Sequence, residues 1–132
     1  MQFLKNNVCA PKGFMAIGKP IGIKKSGKPD FAVIYSEVLA DAAAVYTSNK
    51  VKGAPLIVTK KHLSNGKAQA IVVNSGVSNV CTGEKGIKDA KDMAKFLGNE
   101  LGINPKDVVV ASTGLIGAYL PMETIKNGIK GI

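Results

Sequence analysis

Apolar residues along this chain fall into short blocks separated by glycine, proline and lysine. Phe31-Ala32-Val33-Ile34-Tyr35 is a compact apolar run after the polar turn Lys24–Asp30, and it predicts a strand. Phe14 to Ile23 mixes apolar residues with Gly13, Gly18 and Gly22. It predicts a strand interrupted where backbones approach closely. Ala42-Ala43-Ala44-Val45-Tyr46-Thr47 follows Asp41, and its β-branched and aromatic end favours strand over helix. Leu56-Ile57-Val58-Thr59, closed by Lys60 and Lys61, is read as a further strand. Ser64-Asn65-Gly66-Lys67 is turn chemistry. Ala70-Ile71-Val72-Val73 has no polar alternation and predicts a buried strand that runs into Asn74-Ser75-Gly76.

A different period begins at Glu84. Ile87, Ala90, Ala94, Leu97 and Leu101 recur at spacings of three and four and define one face of a helix from Glu84 to Leu101. Thr82 is placed to cap its start, and Glu84 suits the positive end of the helix dipole. Gly102 fits the left-handed residue after the last turn, with Pro105 just beyond. Val108-Val109-Val110-Ala111 predicts another buried strand, followed by Ser112-Thr113-Gly114. Pro121 reads as the first residue of a last helix running to the terminus. Strands, then helix, strand and helix, give an α/β or α+β layered fold, a sheet covered by helices. Residues 1–132 form a single domain or part of one.

Composition narrows the class. The chain has 132 residues, is 45% hydrophobic and 20% charged, so a packed core is expected rather than disorder. No apolar run approaches the ~20 residues of a bilayer span, and no secretory pattern opens the sequence. Cys9 and Cys81 are too few for a disulfide framework, which points to a cytoplasmic setting and no membrane. The net charge of +9 raises nucleic acid as a partner. Every basic residue is lysine, however, and tryptophan is absent. Base readout favours guanidinium forks, and single strands favour aromatic stacking, so no nucleic-acid partner is expected.

Most chemical motifs fail on context. Gly13, Gly18 and Lys19 have phosphate-loop spacing, but Pro20 replaces the hydroxyl residue and no helix follows. His62, the sole histidine, has no coupled nucleophile and reads as a surface residue. One histidine and two distant cysteines make no metal site. Cys81 lies just before a helix start, where the thiol can be activated; the plainer reading is a small buried residue under the loop. The loop Asn74–Asn79 links a buried strand to a helix start. It is equally a ligand-binding junction and a turn whose side chains satisfy their own backbone. Ser112-Thr113-Gly114 offers an open glycine amide beside a threonine hydroxyl, two donors suited to a developing oxyanion, although the tripeptide is also ordinary turn chemistry.

The ordered set of motifs resembles the amino-terminal part of the ornithine acetyltransferase family, the bifunctional glutamate N-acetyltransferases of arginine biosynthesis. The matching stretches include Ala10–Phe14, Tyr46–Pro55, Gly66–Gly76, Cys81–Gly86, Val110–Gly117 and Leu120–Glu123. The resemblance implies a layered fold like that of the N-terminal-nucleophile hydrolases and a precursor that cleaves itself into two chains. It also implies a threonine at the head of the second chain that carries acetyl from N-acetylornithine to glutamate as an ester. Thr113 and Gly114 take the positions of the family's oxyanion donors. No metal or bound cofactor is implied, although some members accept acetyl-coenzyme A as donor.

The chain aligns with about the first third of such a precursor and stops before the self-cleavage segment. The expectation is therefore a chain that lacks the nucleophile and is inactive alone. Its expected partner is a carboxy-terminal segment, joined to it in a hetero-oligomer. The family loop Asn-Ser-Gly-Asn-Ala-Asn-Ala reads Asn74-Ser75-Gly76-Val77-Ser78-Asn79-Val80 here, which opens a rival reading as a non-catalytic remnant or binding module.

Overall fold

The computed structural model describes residues 7–132. Four strands, β1 (Phe14–Lys19), β2 (Phe31–Asp41), β3 (Lys67–Val77) and β4 (Val108–Leu115), form one sheet in the order β1-β2-β3-β4. β1 pairs antiparallel with β2, β2 antiparallel with β3, and β3 parallel with β4. Helix α1 (Ala54–His62) lies between β2 and β3 in the chain. Helix α2 (Gly83–Leu101) makes the crossover from β3 to β4, and α3 (Met122–Ile129) follows β4.

Strand alternation sorts side chains to two faces. One face carries Phe31 and Val33, Ala70 and Val72, and Val108 and Val110. Against it pack Ala90, Met93, Ala94 and Leu97 of α2, with Ile125 and Ile129 of α3. Met93, Leu97, Ile125, Ile129, Val72 and Val108 are fully buried, each worth roughly 1.5–3 kcal/mol when removed from water. α2 also carries the i,i+4 pairs Lys88–Asp92 on its solvent side and Lys85–Asp89, in which the exposed lysine reaches a buried carboxylate.

The opposite face is also apolar. Ala16, Ile34, Ile71 and Val109 align across all four strands, and Ala32, Val73 and Ala111 align in the next row. None of these seven belongs to the core cluster or to the apolar residues packed against it. Among the described residues the helices therefore cover one side of the sheet only.

Several local expectations change. Leu56–Thr59 is helical, not extended: Pro55 sits in the first turn of α1 and Lys60, Lys61 and His62 in its last, the charge arrangement a helix dipole favours. Ala42–Thr47 is irregular. The pairing of β2 with β3 ends at Asp41 opposite Lys67, after which only Ala42 N–H reaches back, to the Gly66 carbonyl (2.8 Å). β1 ends at Lys19, short of Ile23. α3 starts at Met122 with Pro121 at its cap. Thr82 occupies the cap position of α2, but its side chain caps nothing. Its hydroxyl donates to Asn79 Oδ1 (2.6 Å). Gly102 does adopt the left-handed conformation (φ 67°).

Candidate active site

β4 lies at the edge of the sheet, and how its outer edge is covered defines the site. Thr59 of α1 reaches this edge with its hydroxyl, which accepts from Val110 N–H (3.1 Å) and donates to the Val110 carbonyl (3.2 Å). One turn on, His62 Nδ1–H donates to the Val108 carbonyl (2.8 Å). Two side chains of α1 thus satisfy main-chain groups that a fifth strand would otherwise have taken. His62, expected at the surface, is half-buried and holds the strand edge.

Beyond the first turn of α1 the edge is open. Ser78 N–H and Ser78 Oγ both donate to the Leu115 carbonyl (2.9 and 3.1 Å), so that carbonyl points toward β3. Period-two alternation then turns the main-chain groups of Ser112 and Gly114 to the outer edge, in line with those of Val110. Here the structure has a cleft of about 440 Å³, lined by Leu56, Ser78, Asn79, Ser112, Thr113 and Gly114 among others. Thr113 and Gly114 are both exposed. They lie within the last residues of β4 rather than in a turn after it, because pairing continues to Leu115.

Glycine is required at the centre of this arrangement. Gly114 has φ 128° and stands opposite Gly76, whose φ is 113°. A Cβ on Gly114 would meet Gly76 O at 2.6 Å and Val77 N at 2.7 Å. A Cβ on Gly76 would meet Ile23 Cγ2 at 2.9 Å. Two strands and the loop before β2 therefore converge on a spot without side chains.

The loop 74–79 is held from within. Asn79 is buried; its amide donates to the Gly86 carbonyl (2.8 Å), and its main-chain carbonyl accepts from Ala54 N–H (2.9 Å) at the start of α1. Asn74 is fully buried and donates to the Val77 carbonyl (2.8 Å). Asp30 secures the neighbouring loop, accepting from Ile21 N–H and Lys24 N–H (both 2.7 Å). Burial pushes the Asp30 carboxyl up. The amides of Lys24, Ile21, Ile23 and Gly22 outweigh it and hold the group below 3.8. Under the cleft, Asn74 Oδ1 and Ser112 Oγ are buried without a hydrogen-bond partner among the described residues. They belong to residues that face each other across β3 and β4.

Sequence reasoning missed Thr59, His62 and Asp30. For Thr59 and His62 the available sign was Pro55 followed by a basic end, which marks a helix. For Asp30 it was the acid that closes the turn Lys24–Asp30. Cys81 is exposed, not buried, with a left-handed backbone (φ 58°), and lies outside this cleft. Among the described residues no group of three or more His, Cys, Asp or Glu gathers to hold a metal, and no helix is long and apolar enough to cross a membrane.

The ArgJ family profile matches residues 15–132. An arginine biosynthesis bifunctional protein ArgJ from Caldanaerobacter subterraneus subsp. tengcongensis is 54% identical over 130 residues, covering 98% of this chain and 32% of that protein. The ArgJ protein of Streptococcus thermophilus is 50% identical over 130 residues, with the same coverage. Among solved structures, ArgJ from Bacillus halodurans superposes with a TM-score of 0.90 at 46% identity, over 94% of this chain and 65% of that one. Ornithine acetyltransferase from Mycobacterium tuberculosis, solved with ornithine, also gives 0.90, at 39% identity, over 95% of this chain and 68% of that one. The chain spans about a third of the length of the curated relatives it matches. Its fold is the N-terminal-nucleophile-hydrolase-like fold of those structures, and the chain belongs to the ArgJ family.

Proposed function

We propose that this chain is the amino-terminal part of a cytoplasmic acetyltransferase that moves acetyl from N-acetylornithine to glutamate through an acyl-threonine ester. In this reading Thr113 and Gly114 supply oxyanion donors, and the nucleophilic threonine is carried by a carboxy-terminal segment. Acetyl-coenzyme A is an optional donor.

The observation that carries the reading is the open stretch of β4 beyond α1. Thr113 and Gly114 line its cleft, beside a glycine pair that brings main chain to the surface. A tetrahedral intermediate places negative charge on the former carbonyl oxygen, and fixed donors oppose no reorganisation as that charge grows. The uncovered apolar sheet face supports a partner, because seven aligned apolar residues need a second layer. The buried Asn74 Oδ1 and Ser112 Oγ add polar capacity that a group entering the cleft can satisfy.

The test is acetyl transfer from N-acetylornithine to glutamate, measured with this chain alone and joined to a family carboxy-terminal segment. Activity is expected only in the joined form. Within it, Thr113→Ala is expected to lower kcat about 10²–10³-fold with little change in KM, the scale for loss of one oxyanion donor. Turnover by the isolated chain, or full activity of Thr113→Ala, overturns the reading.

A second reading, a non-catalytic module of the same fold, draws on Val80. This residue lines the cleft where the family pattern has alanine, and its Cβ stands 3.9 Å from where a Cβ on Gly53 would be. Stable association without activity, restored by Val80→Ala, selects it.

A further inference from the structure

At the other end of β4 a separate cavity of about 360 Å³ is lined by Lys61, His62, Ser64, Asn65, Lys91 and Lys106. Val108, which holds His62, and Gly114 are six positions apart on one strand. At about 3.3 Å per residue the two sites are separated by about 20 Å.

The six residues come from distinct parts of the fold: the end of α1, the 3-10 turn Leu63–Asn65, the middle of α2, and the 3-10 turn Pro105–Asp107 before β4. No carboxylate is among them. The ion pairs formed among the described residues use Lys67, Lys85 and Lys88, so Lys61, Lys91 and Lys106 remain without one. The carbonyl of Val108 fixes the His62 ring through Nδ1, leaving Nε2 unused. Asn65 Oδ1 accepts from Lys67 N–H (3.1 Å), so the Asn65 amide has its donors to spare. Asn104 Oδ1 accepts from Lys106 N–H (3.0 Å) and sets the turn that carries this lysine.

The helix dipole accounts for Lys61 and His62 at the end of α1. It does not account for Lys91 in mid-helix or for Lys106 on another element. Like charges gathered without a counterion repel, and an anion in their midst converts that repulsion into attraction. Lysine binds phosphate as a point charge, and hydroxyl and amide donors complete the shell of a doubly charged, multi-oxygen group better than that of a single carboxylate.

We propose that this cavity binds the phosphate group of a small phosphorylated molecule or free phosphate. The site is independent of the acyl-transfer reading.

The test is an amide NMR titration of the 132-residue chain with inorganic phosphate at constant ionic strength, repeated with glycerol 3-phosphate and with acetate. Saturable shifts are expected at His62, Ser64 and Asn65 with either phosphate, and none with acetate. Lys91→Gln and Lys106→Gln should each weaken binding about tenfold, the loss of one charge-assisted contact, while Lys12→Gln changes nothing. A preference for the ester over free phosphate identifies the larger ligand; the reverse identifies the ion. Equal shifts with acetate, shifts spread over all lysines, or unchanged binding in both cavity variants overturn the proposal.

Discussion

Gly114 shows how one atom decides whether the cleft exists. Its φ of 128° is open to glycine and strained for other residues, and any Cβ would run into the Gly76 main chain. Gly114→Ala is therefore expected to destabilise the chain by about 1–3 kcal/mol, the cost of one strained backbone position. Urea unfolding measures this. A change below 0.5 kcal/mol, a level usual for surface substitutions, contradicts the packing described.

Asp30 gives a pH-dependent counterpart. Its folded carboxyl titrates below 3.8, so it adds stability above the unfolded value of about 3.9, and that stability is lost as pH falls through the lower folded value. Asp30→Asn should reduce stability at pH 7 by about 1–3 kcal/mol. Its stability should also fall less steeply between about pH 5 and pH 2. Acid unfolding curves that run parallel for the two proteins exclude this role. The sequence offered Thr113 and Gly114 as candidate donors but not these supports. Thr113 and Gly114 are adjacent and self-announcing, whereas Asp30 acts on amides six to nine positions away.

At the scale of elements, α1 was the least legible. Leu56-Ile57-Val58-Thr59 is too short an apolar run for its period to separate helix from strand, and its identity is decided by the flanking Pro55 and by tertiary contact with β4. α2 was readable because its face repeats over five turns; the stripe did not include Met93, which is fully buried, or Phe96, which packs against the core. β3 and β4 were readable as buried strands because both of their faces are apolar. That same feature hid the fact that one face has no cover among the described residues.

Thr59 is the hinge between these readings. Replacing it with valine keeps the shape and leaves the Val110 N–H and carbonyl without their partner. Thr59→Val should cost about 1–3 kcal/mol, and Thr59→Ser should restore most of it. Thermal unfolding of the pair checks the hydroxyl separately from packing. Equal midpoints for valine and serine remove the edge-sealing role.

For the whole molecule, the decisive asymmetry is between the two faces of the sheet. A face built on Ile34, Ile71, Val73 and Val109, with no layer above it among the described residues, is apolar surface of the kind that favours association. Ile71→Lys with Val109→Lys is expected to shift the isolated chain toward monomer in light scattering and to weaken capture of the proposed carboxy-terminal segment by at least about tenfold. Unaltered assembly would place the contact elsewhere. Fold class and family were legible because they reside in patterns spread over the whole chain. The missing layer was not, because a buried strand and a strand awaiting burial have the same composition.

The way α1 seals β4 has a geometric consequence. Seen end-on, the helix is a stopper whose tip is set by Pro55, and whatever length of strand it leaves bare fixes the aperture of the cleft. Moving that proline one turn earlier or later would narrow or widen the mouth while leaving Ser112, Thr113 and Gly114 of β4 in place, so the dimensions of the opening are encoded in the punctuation of a helix.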